Sequence, residues 1–331
     1  MFQHIINFVS TFQHRINIFQ LFFKLFGHCE YIKVQETESF HYRMLCSSIR
    51  LFLHRNTTSF PTRIYKRYKT TTTYDYPANQ YNRVERIILV RHGQSEGNTD
   101  ESTYVSTADW RIKLTDKGKH QAEIAGKTIA KLLTDEKAKT FFYVSPYMRT
   151  RQTLKGIMSQ IPKEKIYGIR EEPRIAEQQF GNFQNVQQIQ TCKQERRKFG
   201  RFFYRFPNGE AGFDVYNRVT SFISTMMRDS QQLRAENIDM ENFNHVIVTH
   251  GLTLRLFLMR WFQYSVDEFE ESFNPENGSV VILERKTNPV TGLQWYELKQ
   301  ESREALRLPE YENQERFRIQ NDLTILDEEP V

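Results

Sequence analysis

Cysteine is scarce in this chain, and the few cysteines present form no familiar pattern. The 331 residues include Cys29, Cys46 and Cys192, which are odd in number and widely spaced. This arrangement argues against a disulfide scaffold and favours a reducing compartment. The sequence also lacks C-x-x-C pairs and clusters of His and Cys. We therefore expect no structural metal and no other cofactor.

Long apolar runs are missing as well. The opening stretch 2–26 is rich in Phe and Ile, but Arg15, Lys24 and several other polar residues interrupt it. A spanning helix needs about 20 consecutive apolar residues, and a secretory signal needs a small-residue cleavage site. Because the stretch is basic and poor in acids, it is typical of an organelle presequence or of a segment that contacts a membrane surface. The alternative is a disordered or non-native extension.

Outside the N-terminal segment, the positive and negative charges of the chain almost balance. Residues 1–74 hold ten Lys or Arg against three Glu, a net charge of +7, whereas the rest holds 36 against 37, a net charge of −1. A nucleic-acid partner is therefore not expected for the body of the protein. We expect a cytoplasmic location, or a mitochondrial one if the first segment is a presequence.

Composition divides the chain into three parts. Four threonines at 70–73, followed by Pro77, indicate a linker. We predict an N-terminal extension and linker over 1–80, a folded domain over 81–300 and a charged tail over 301–331. The tail is expected to form a surface helix or to stay mobile.

From Val84 onward the pattern is that of an α/β protein. Short apolar runs predict strands at 87–90, 141–144, 166–169 and 246–248. Helical spacing predicts helices over about 116–133, with Thr115 as N-cap, and over 213–233 and 252–261. This alternation predicts a mostly parallel sheet covered on both faces, a three-layer α/β/α sandwich. Two later runs, 280–284 and 294–298, predict a hairpin.

Three of the predicted strands end in residues that suit phosphate chemistry. The first strand leads directly into Arg91-His92-Gly93, and the fourth leads into His250-Gly251. A histidine beside a fixed cation can hold a transferred phosphoryl group. Because ligands in open α/β sheets bind outside the carboxyl ends of the strands, we expect these residues to share a pocket.

The second strand is followed by Ser145-Pro146 and, three residues later, by Arg149. Ser145 is predicted to cap a helix that has Pro146 at its first position and Arg149 in its first turn. Free N–H groups and a guanidinium would then converge on an anion. One further acid, Glu177, lies in a polar loop after the third strand; taken alone, it is equally typical of a solvated carboxylate.

These motifs, in this order, resemble those of the histidine phosphatase superfamily, which has the phosphoglycerate mutase-like fold, over about residues 84–300. Blocks such as 145–151, 180–184 and 199–207 are most similar to phosphoglycerate mutase-like proteins of plants. Residues at three positions differ from those common in the family and leave the substrate preference open: Gln94, Phe183 and Ala211.

The resemblance implies a role for each matching residue. His92 would be the nucleophile and Glu177 the proton donor and acceptor. The phosphoryl oxygens would be held by Arg91, Asn98, Arg149, His250 and Gly251. Glu210 matches a motif that opens a helix, and the resemblance gives it a role that is more structural than catalytic.

The implied activity is hydrolysis of a small phosphorylated metabolite through phosphohistidine, with no metal. Two alternatives remain at this stage. One is a mutase that returns the phosphoryl group to a second substrate oxygen. The other is a weakly catalytic phospho-ligand binder that uses the basic and aromatic residues of 193–206 to hold a polyanion or RNA. The usual fate of such a charge run is a solvated helix face with an aromatic core side.

Overall fold

Six strands form one sheet in the computed structural model, which describes residues 83–182 and 185–308. Their order across the sheet is β3-β2-β4-β1-β5-β6. The strands β3, β2, β4 and β1 run parallel, and β5 and β6 are antiparallel to their neighbours. The strand bounds are β1 Arg86–Arg91, β2 Lys139–Val144, β3 Ile166–Glu171, β4 Phe243–Thr249, β5 Val280–Thr287 and β6 Gln294–Leu298.

Helices connect the strands and cover the sheet. Single turns of 3-10 helix at Asp109–Arg111, Lys163–Lys165 and Pro173–Ile175 complete the connections. The helix bounds are α1 Glu96–Thr99, α2 Thr103–Ser106, α3 Asp116–Ala130, α4 Met148–Met158, α5 Val186–Phe199, α6 Gly212–Ala235, α7 Gly251–Phe262, α8 Val266–Glu271 and α9 Gln300–Leu306.

The sheet has an apolar core on each face because alternate residues of a strand point in opposite directions. Ile87 and Leu89 belong to a core that includes Phe222 of α6 and residues of α7. Ile88, the residue between them, belongs to the opposite core with Ile129 of α3 and residues of α4. The predicted three-layer α/β/α sandwich with a mostly parallel sheet is therefore confirmed.

The predicted elements agree with the observed ones, and most observed elements are slightly longer. All four strands, the hairpin and the three helices are present. Thr115 caps α3 as predicted, with its side chain accepting a hydrogen bond from Gly118 N at 3.1 Å. In the described part of the chain, no helix is long and apolar enough to cross a membrane.

The predicted start of the helix after β2 is wrong. That helix, α4, begins at Met148 with Tyr147 as N-cap, so Pro146 is not its first residue. Tyr147 itself has an extended backbone, and the Ser145 hydroxyl instead lies 2.8 Å from His250 Nε2. A tertiary hydrogen bond thus replaces the predicted cap. Arg149 nevertheless lies in the first turn, as expected.

Two other segments differ in part from expectation. The tail begins with the helix α9. A surface helix was expected, but α9 also packs against the core, because Leu306 is fully buried. The basic and aromatic segment 193–206 has Phe202 and Phe206 buried, but Phe199 and Phe203 are 70% and 64% exposed. The predictions for 1–80 and for the tail beyond residue 308 concern residues outside the described ones.

Candidate active site

The order of the strands brings three separate motifs to one edge of the sheet. The strand β4 pairs with β1 on one side and with β2 on the other. Its last residues are in register with both neighbours, since Thr249 pairs with Arg91 and Val248 pairs with Val144. The loops that carry His92, Arg149 and His250 therefore start side by side.

His92 has one ring nitrogen held and the other free. Its Nδ1 lies 2.7 Å from the Gly93 carbonyl oxygen. Because a carbonyl can only accept, Nδ1 carries the proton and Nε2 keeps its lone pair. Burial, together with the nearby charges of Arg149 and Arg91, holds the pKa of His92 well below 6.5. The imidazole is therefore neutral and oriented, with the lone pair on Nε2 available.

Close backbone packing holds the His92 loop in place. A Cβ added to Gly93 would lie 2.2 Å from the Gly118 carbonyl oxygen, and a Cβ on Gly118 would lie 2.0 Å from the Gln94 carbonyl oxygen. Only two glycines allow the loop and the first turn of α3 to approach so closely. Gly93 N also donates to Thr153 Oγ1 of α4 at 3.1 Å.

His250 lies beside His92 at the start of α7. The two ring centroids are 5.2 Å apart, with 65° between the ring planes. Its Nε2 is 2.8 Å from Ser145 Oγ, while its buried Nδ1 has no hydrogen-bond partner in the described part of the protein. When the serine hydroxyl donates to Nε2, Nδ1 carries the proton and is a free donor. Burial and the charge of Arg149 lower the pKa of His250 well below 6.5.

Two arginines supply positive charge to the same pocket. Arg149 is 2% exposed and donates from Nη1 to the backbone oxygen and to Oδ1 of Asp109, both at 2.7 Å. Arg91 donates from Nη1 to the Pro275 carbonyl oxygen at 2.6 Å. Among the described residues, the buried Nε atoms of both arginines lack partners. Buried N–H donors without partners, on two arginines, are suited to bind an anion such as a phosphoryl group.

Glu177 follows the 3-10 turn that succeeds β3 and is partly exposed. Its Oε1 accepts from Gln178 N at 3.0 Å and from Thr253 Oγ1 at 3.3 Å. Burial is the largest influence on its pKa and raises it above 4.5, although Arg149 and Arg91 act in the opposite direction. A carboxyl group with a raised pKa can deliver a proton and then take one back.

Arg218 of α6 holds the Glu177 loop, and no sequence pattern pointed to this residue. Its guanidinium donates to the carbonyl oxygens of Arg174, Ala176 and Glu177 at 2.7, 2.8 and 3.0 Å. It also pairs with Glu210 at 3.0 Å. Glu210 therefore orients Arg218, which in turn holds the Glu177 loop by hydrogen bonds.

Asn98 and Gly251 lie at the rim of the pocket. Asn98 is exposed, and its Oδ1 accepts from Ser95 N at 3.0 Å and from Asn277 Nδ2 at 3.2 Å. Asn277 also donates to the His92 carbonyl oxygen at 3.1 Å, which links Asn98 to the nucleophile's loop. Gly251 leaves room for Arg91, since a Cβ there would be 3.2 Å from Arg91 Nε.

Two tyrosines near the arginines were not predicted. The Tyr147 ring centroid is 4.7 Å from the Cζ of Arg149 and 5.0 Å from the His250 ring centroid. Tyr104 of α2 packs against Gly97. The only sequence signal for Tyr104 is its position between the first motif and α3, where a connecting segment can reach the site.

Part of the basic segment lies next to this site. Arg196 Nη1 is 3.4 Å from Gln178 Oε1, and Lys193 pairs with Glu101. Over residues 83–182 and 185–308, no three His, Cys, Asp or Glu side chains converge as a metal site would require. Phe183 lies outside the described residues.

A family model, that of the histidine phosphatase superfamily (branch 1), matches residues 87–297. A phosphoglycerate mutase-like protein of Arabidopsis thaliana is 47% identical over 204 residues, covering 60% of this chain and 65% of its own length. The chain therefore spans slightly less than two thirds of that relative.

Two more distant similarities were found. A broad-range acid phosphatase of Saccharomyces cerevisiae is 31% identical over 288 residues, covering 60% of this chain and 84% of the relative. A solved structure titled mycobacterial hydrolase 1 is 19% identical, covers 65% of this chain and 97% of its own, and has a TM-score of 0.49.

Proposed function

Because this chain belongs to the histidine phosphatase superfamily (branch 1), we propose that it hydrolyses phosphomonoesters of small metabolites through a phosphohistidine at His92. The observation that carries the proposal is the hydrogen bond from His92 Nδ1 to the Gly93 carbonyl oxygen. It fixes the tautomer whose Nε2 lone pair is available, in a pocket that also holds two arginines with unpaired Nε donors.

In the first step, His92 Nε2 attacks phosphorus and the bond from phosphorus to the ester oxygen breaks. The departing oxygen takes the proton of Glu177. Arg91, Arg149 and the free Nδ1–H of His250 stabilise the charge on the equatorial phosphoryl oxygens. The products of this step are an alcohol, a Glu177 carboxylate and His92 phosphorylated on Nε2.

In the second step, water attacks the phosphohistidine. The Glu177 carboxylate takes one proton from the water as the new oxygen–phosphorus bond forms. The phosphorus–nitrogen bond breaks and its electron pair returns to Nε2. Inorganic phosphate leaves, and both His92 and Glu177 return to their starting protonation states.

We favour hydrolysis of several small substrates over a single substrate, because the yeast relative is named a broad-range acid phosphatase. The pKa directions support an acidic working range. The lowered pKa of His92 extends the range over which the nucleophile is neutral to lower pH, and the raised pKa of Glu177 extends the range over which the donor is protonated to higher pH.

The test is the substitution His92→Ala, with the exposed His120→Ala on α3 as the matched control. We expect the first variant to lose at least about 1,000-fold in kcat on p-nitrophenyl phosphate, as for other covalent nucleophiles. The control should keep wild-type activity. Substrate carrying labelled phosphate should label the wild type and not His92→Ala. Wild-type turnover by His92→Ala would disprove the role of His92.

The competing proposal is mutase chemistry, suggested by the name of the Arabidopsis relative. The same pocket would serve, and only the acceptor would change from water to a second substrate oxygen. An assay on 3-phosphoglycerate primed with its bisphosphate decides between them. Isomerisation faster than phosphate release would favour the mutase, and phosphate release alone would favour hydrolysis.

A further inference from the structure

Tyr104 lies on the short helix α2, between the His92 motif and α3 in the chain. Its ring end packs on Gly97, close enough that a Cβ added to Gly97 would lie 2.7 Å from Tyr104 Cζ and 2.9 Å from its hydroxyl oxygen. Gly97 belongs to α1, directly before Asn98. The tyrosine hydroxyl therefore reaches back from α2 to the segment that follows the His92 motif.

Two ion pairs hold the segment that carries Tyr104. After α2, Asp109 pairs with Arg149 at 2.7 Å. Before α2, Glu101 pairs with Lys193 of α5. Each side of Tyr104 is thus anchored to a different helix, and one of the anchors is itself a phosphate-pocket arginine. The segment that carries Tyr104 is therefore held on both sides, on one of them by Arg149.

The segment that carries Tyr104 reaches Arg149, because Asp109 of that segment pairs with Arg149 at 2.7 Å. Charge on the Tyr104 hydroxyl would interact with Arg149, Arg91 and Glu177. Burial is the largest influence on the group and raises the pKa of Tyr104 to about 12. The phenol therefore stays protonated, as a neutral donor, at every pH where the site would work.

This donor is not used elsewhere in the described parts of the molecule. The hydroxyls of Tyr143 and Tyr296 donate to Asp229 Oδ2 at 2.9 Å and to the Val84 carbonyl oxygen at 2.6 Å. Over 83–182 and 185–308, the Tyr104 hydroxyl makes no such bond. A partly buried, fixed hydroxyl with a free hydrogen is arranged to donate to a ligand.

We propose that Tyr104 is a further catalytic residue, whose hydroxyl donates a hydrogen bond to a non-bridging oxygen of the phosphoryl group during its transfer to and from His92. The proposal rests on the phosphohistidine mechanism above. The phosphoryl group, not the leaving group, is the partner because Tyr104 lies between Gly97 of the His92 motif segment and Asp109, which pairs with Arg149 at 2.7 Å. A neutral donor adds directional stabilisation there without adding positive charge beside His92.

The same geometry makes Gly97 a positioning residue for the Tyr104 hydroxyl. The atoms that an added Cβ would meet are the far end of the Tyr104 ring. That ring can turn aside without moving the backbone. Gly97→Ala should therefore displace the hydroxyl while the protein stays folded, and should reproduce the loss caused by removing the hydroxyl.

The first experiment compares Tyr104→Phe with Tyr167→Phe, a matched control on β3 that is 40% exposed and packs against Phe243. We expect Tyr104→Phe to lower kcat/KM about 100-fold, the typical effect of losing one transition-state donor. The loss should be equal for p-nitrophenyl phosphate and glycerol phosphate, because the phosphoryl group is common to both. Inhibition by orthovanadate should weaken by a similar factor, and the control should be unchanged.

Three outcomes would overturn the proposal. These are wild-type kcat/KM in Tyr104→Phe, a loss confined to one of the two substrates, and a loss without weaker vanadate inhibition. His92→Ala separates this result from failure of the proposed function. An inactive His92→Ala with an unaffected Tyr104→Phe would reject the role of Tyr104 alone.

A double-mutant cycle provides the second experiment. If Gly97 acts through Tyr104, Gly97→Ala should cost activity in the wild-type background and little in the Tyr104→Phe background. Melting temperatures of all variants establish that they are folded. Equal losses from Gly97→Ala in both backgrounds would show that Gly97 acts independently of the hydroxyl, and would remove this support.

Discussion

At His92 a single hydrogen bond decides which ring nitrogen keeps its lone pair. The Gly93 carbonyl oxygen, 2.7 Å from Nδ1, holds the proton there and leaves Nε2 free. His250 has the complementary arrangement, with Nε2 engaged by Ser145 and Nδ1 without a partner among residues 83–182 and 185–308. Burial beside arginines disfavours the charged form of both rings. Two histidines of the same type are therefore suited to opposite tasks, one as nucleophile and the other as donor.

Glu177→Gln tests the residue proposed to handle the proton. Because glutamine cannot release one, kcat on glycerol phosphate should fall about 100- to 10,000-fold. The loss in the first step should be smaller for p-nitrophenyl phosphate, whose leaving group departs without a proton. A burst of p-nitrophenol measured in a rapid-mixing instrument would report that step separately.

The raised pKa of Glu177 also predicts how activity changes with pH in the wild type and in Glu177→Gln. The pKa of Glu177 is raised above 4.5, so wild-type activity should be lost as pH rises through that raised value and the donor ionises. In the glutamine variant this alkaline fall should be absent from the residual activity on glycerol phosphate. An identical alkaline fall in both proteins would mean that another group carries the proton.

At the scale of the element, the start of α4 shows how tertiary structure can override a local signal. Ser145-Pro146 has the composition of a helix start. Instead, the helix starts only at Met148, after an extended Tyr147, and Ser145 contacts His250. This delay leaves Ser145 free to orient a histidine that is far away in the sequence, while Arg149 stays in the first turn of the helix.

The contact between the His92 loop and α3 gives a prediction at this scale. In Gly118→Ala the new Cβ would lie 2.0 Å from the Gln94 carbonyl oxygen, so backbone must move. We expect a loss of about 1–3 kcal/mol in the free energy of unfolding, as for other overpacked sites. Activity should fall as well, because the displaced loop carries the nucleophile. Chemical denaturation and kcat measure the two effects.

Ala125→Gly, at a fully packed position of the same helix, is a useful comparison. It lowers helix stability by about 1 kcal/mol without adding an atom next to the loop. Its kcat should stay close to that of the wild type. If Gly118→Ala kept full activity at a temperature where it is folded, the loop would tolerate displacement and the close contact would not be needed for catalysis.

At the scale of the whole molecule, the chain divides after Tyr74, and Asp75–Val331 forms one unit. Both cores and every residue of the candidate site belong to that unit. We therefore predict that a chain lacking residues 1–74 folds and hydrolyses p-nitrophenyl phosphate with a kcat within about twofold of the full chain. Circular dichroism and steady-state kinetics on both proteins test this.

The same deletion removes the basic excess, since residues 1–74 hold ten Lys or Arg and three Glu. If that segment contacts a membrane surface, the full chain should sediment with anionic vesicles and the shortened chain should not. Loss of folding in the shortened chain would contradict the predicted division at about residue 80.

Much of the fold and site could be predicted because the evidence was local. Apolar runs marked β1, β2, β3 and β4, and the residues that follow three of them marked the pocket. Arg218, Asp109 and Tyr104 could not be found in this way. Each acts on a group distant in sequence: Arg218 on the Glu177 loop, Asp109 on Arg149 and Tyr104 on the proposed phosphoryl position. No spacing rule encodes such contacts.

By itself, the sequence determined the alternation of strands and helices and the residue types available at the ends of the strands. Hydrophobic periodicity and short motifs contain that information because they act over a few neighbouring residues. Only the tertiary structure decided that β1, β4 and β2 are adjacent, that Ser145 contacts His250 instead of capping α4, and that Tyr104 packs against Gly97. Those features depend on which distant segments pack together, and packing is a property of the whole core.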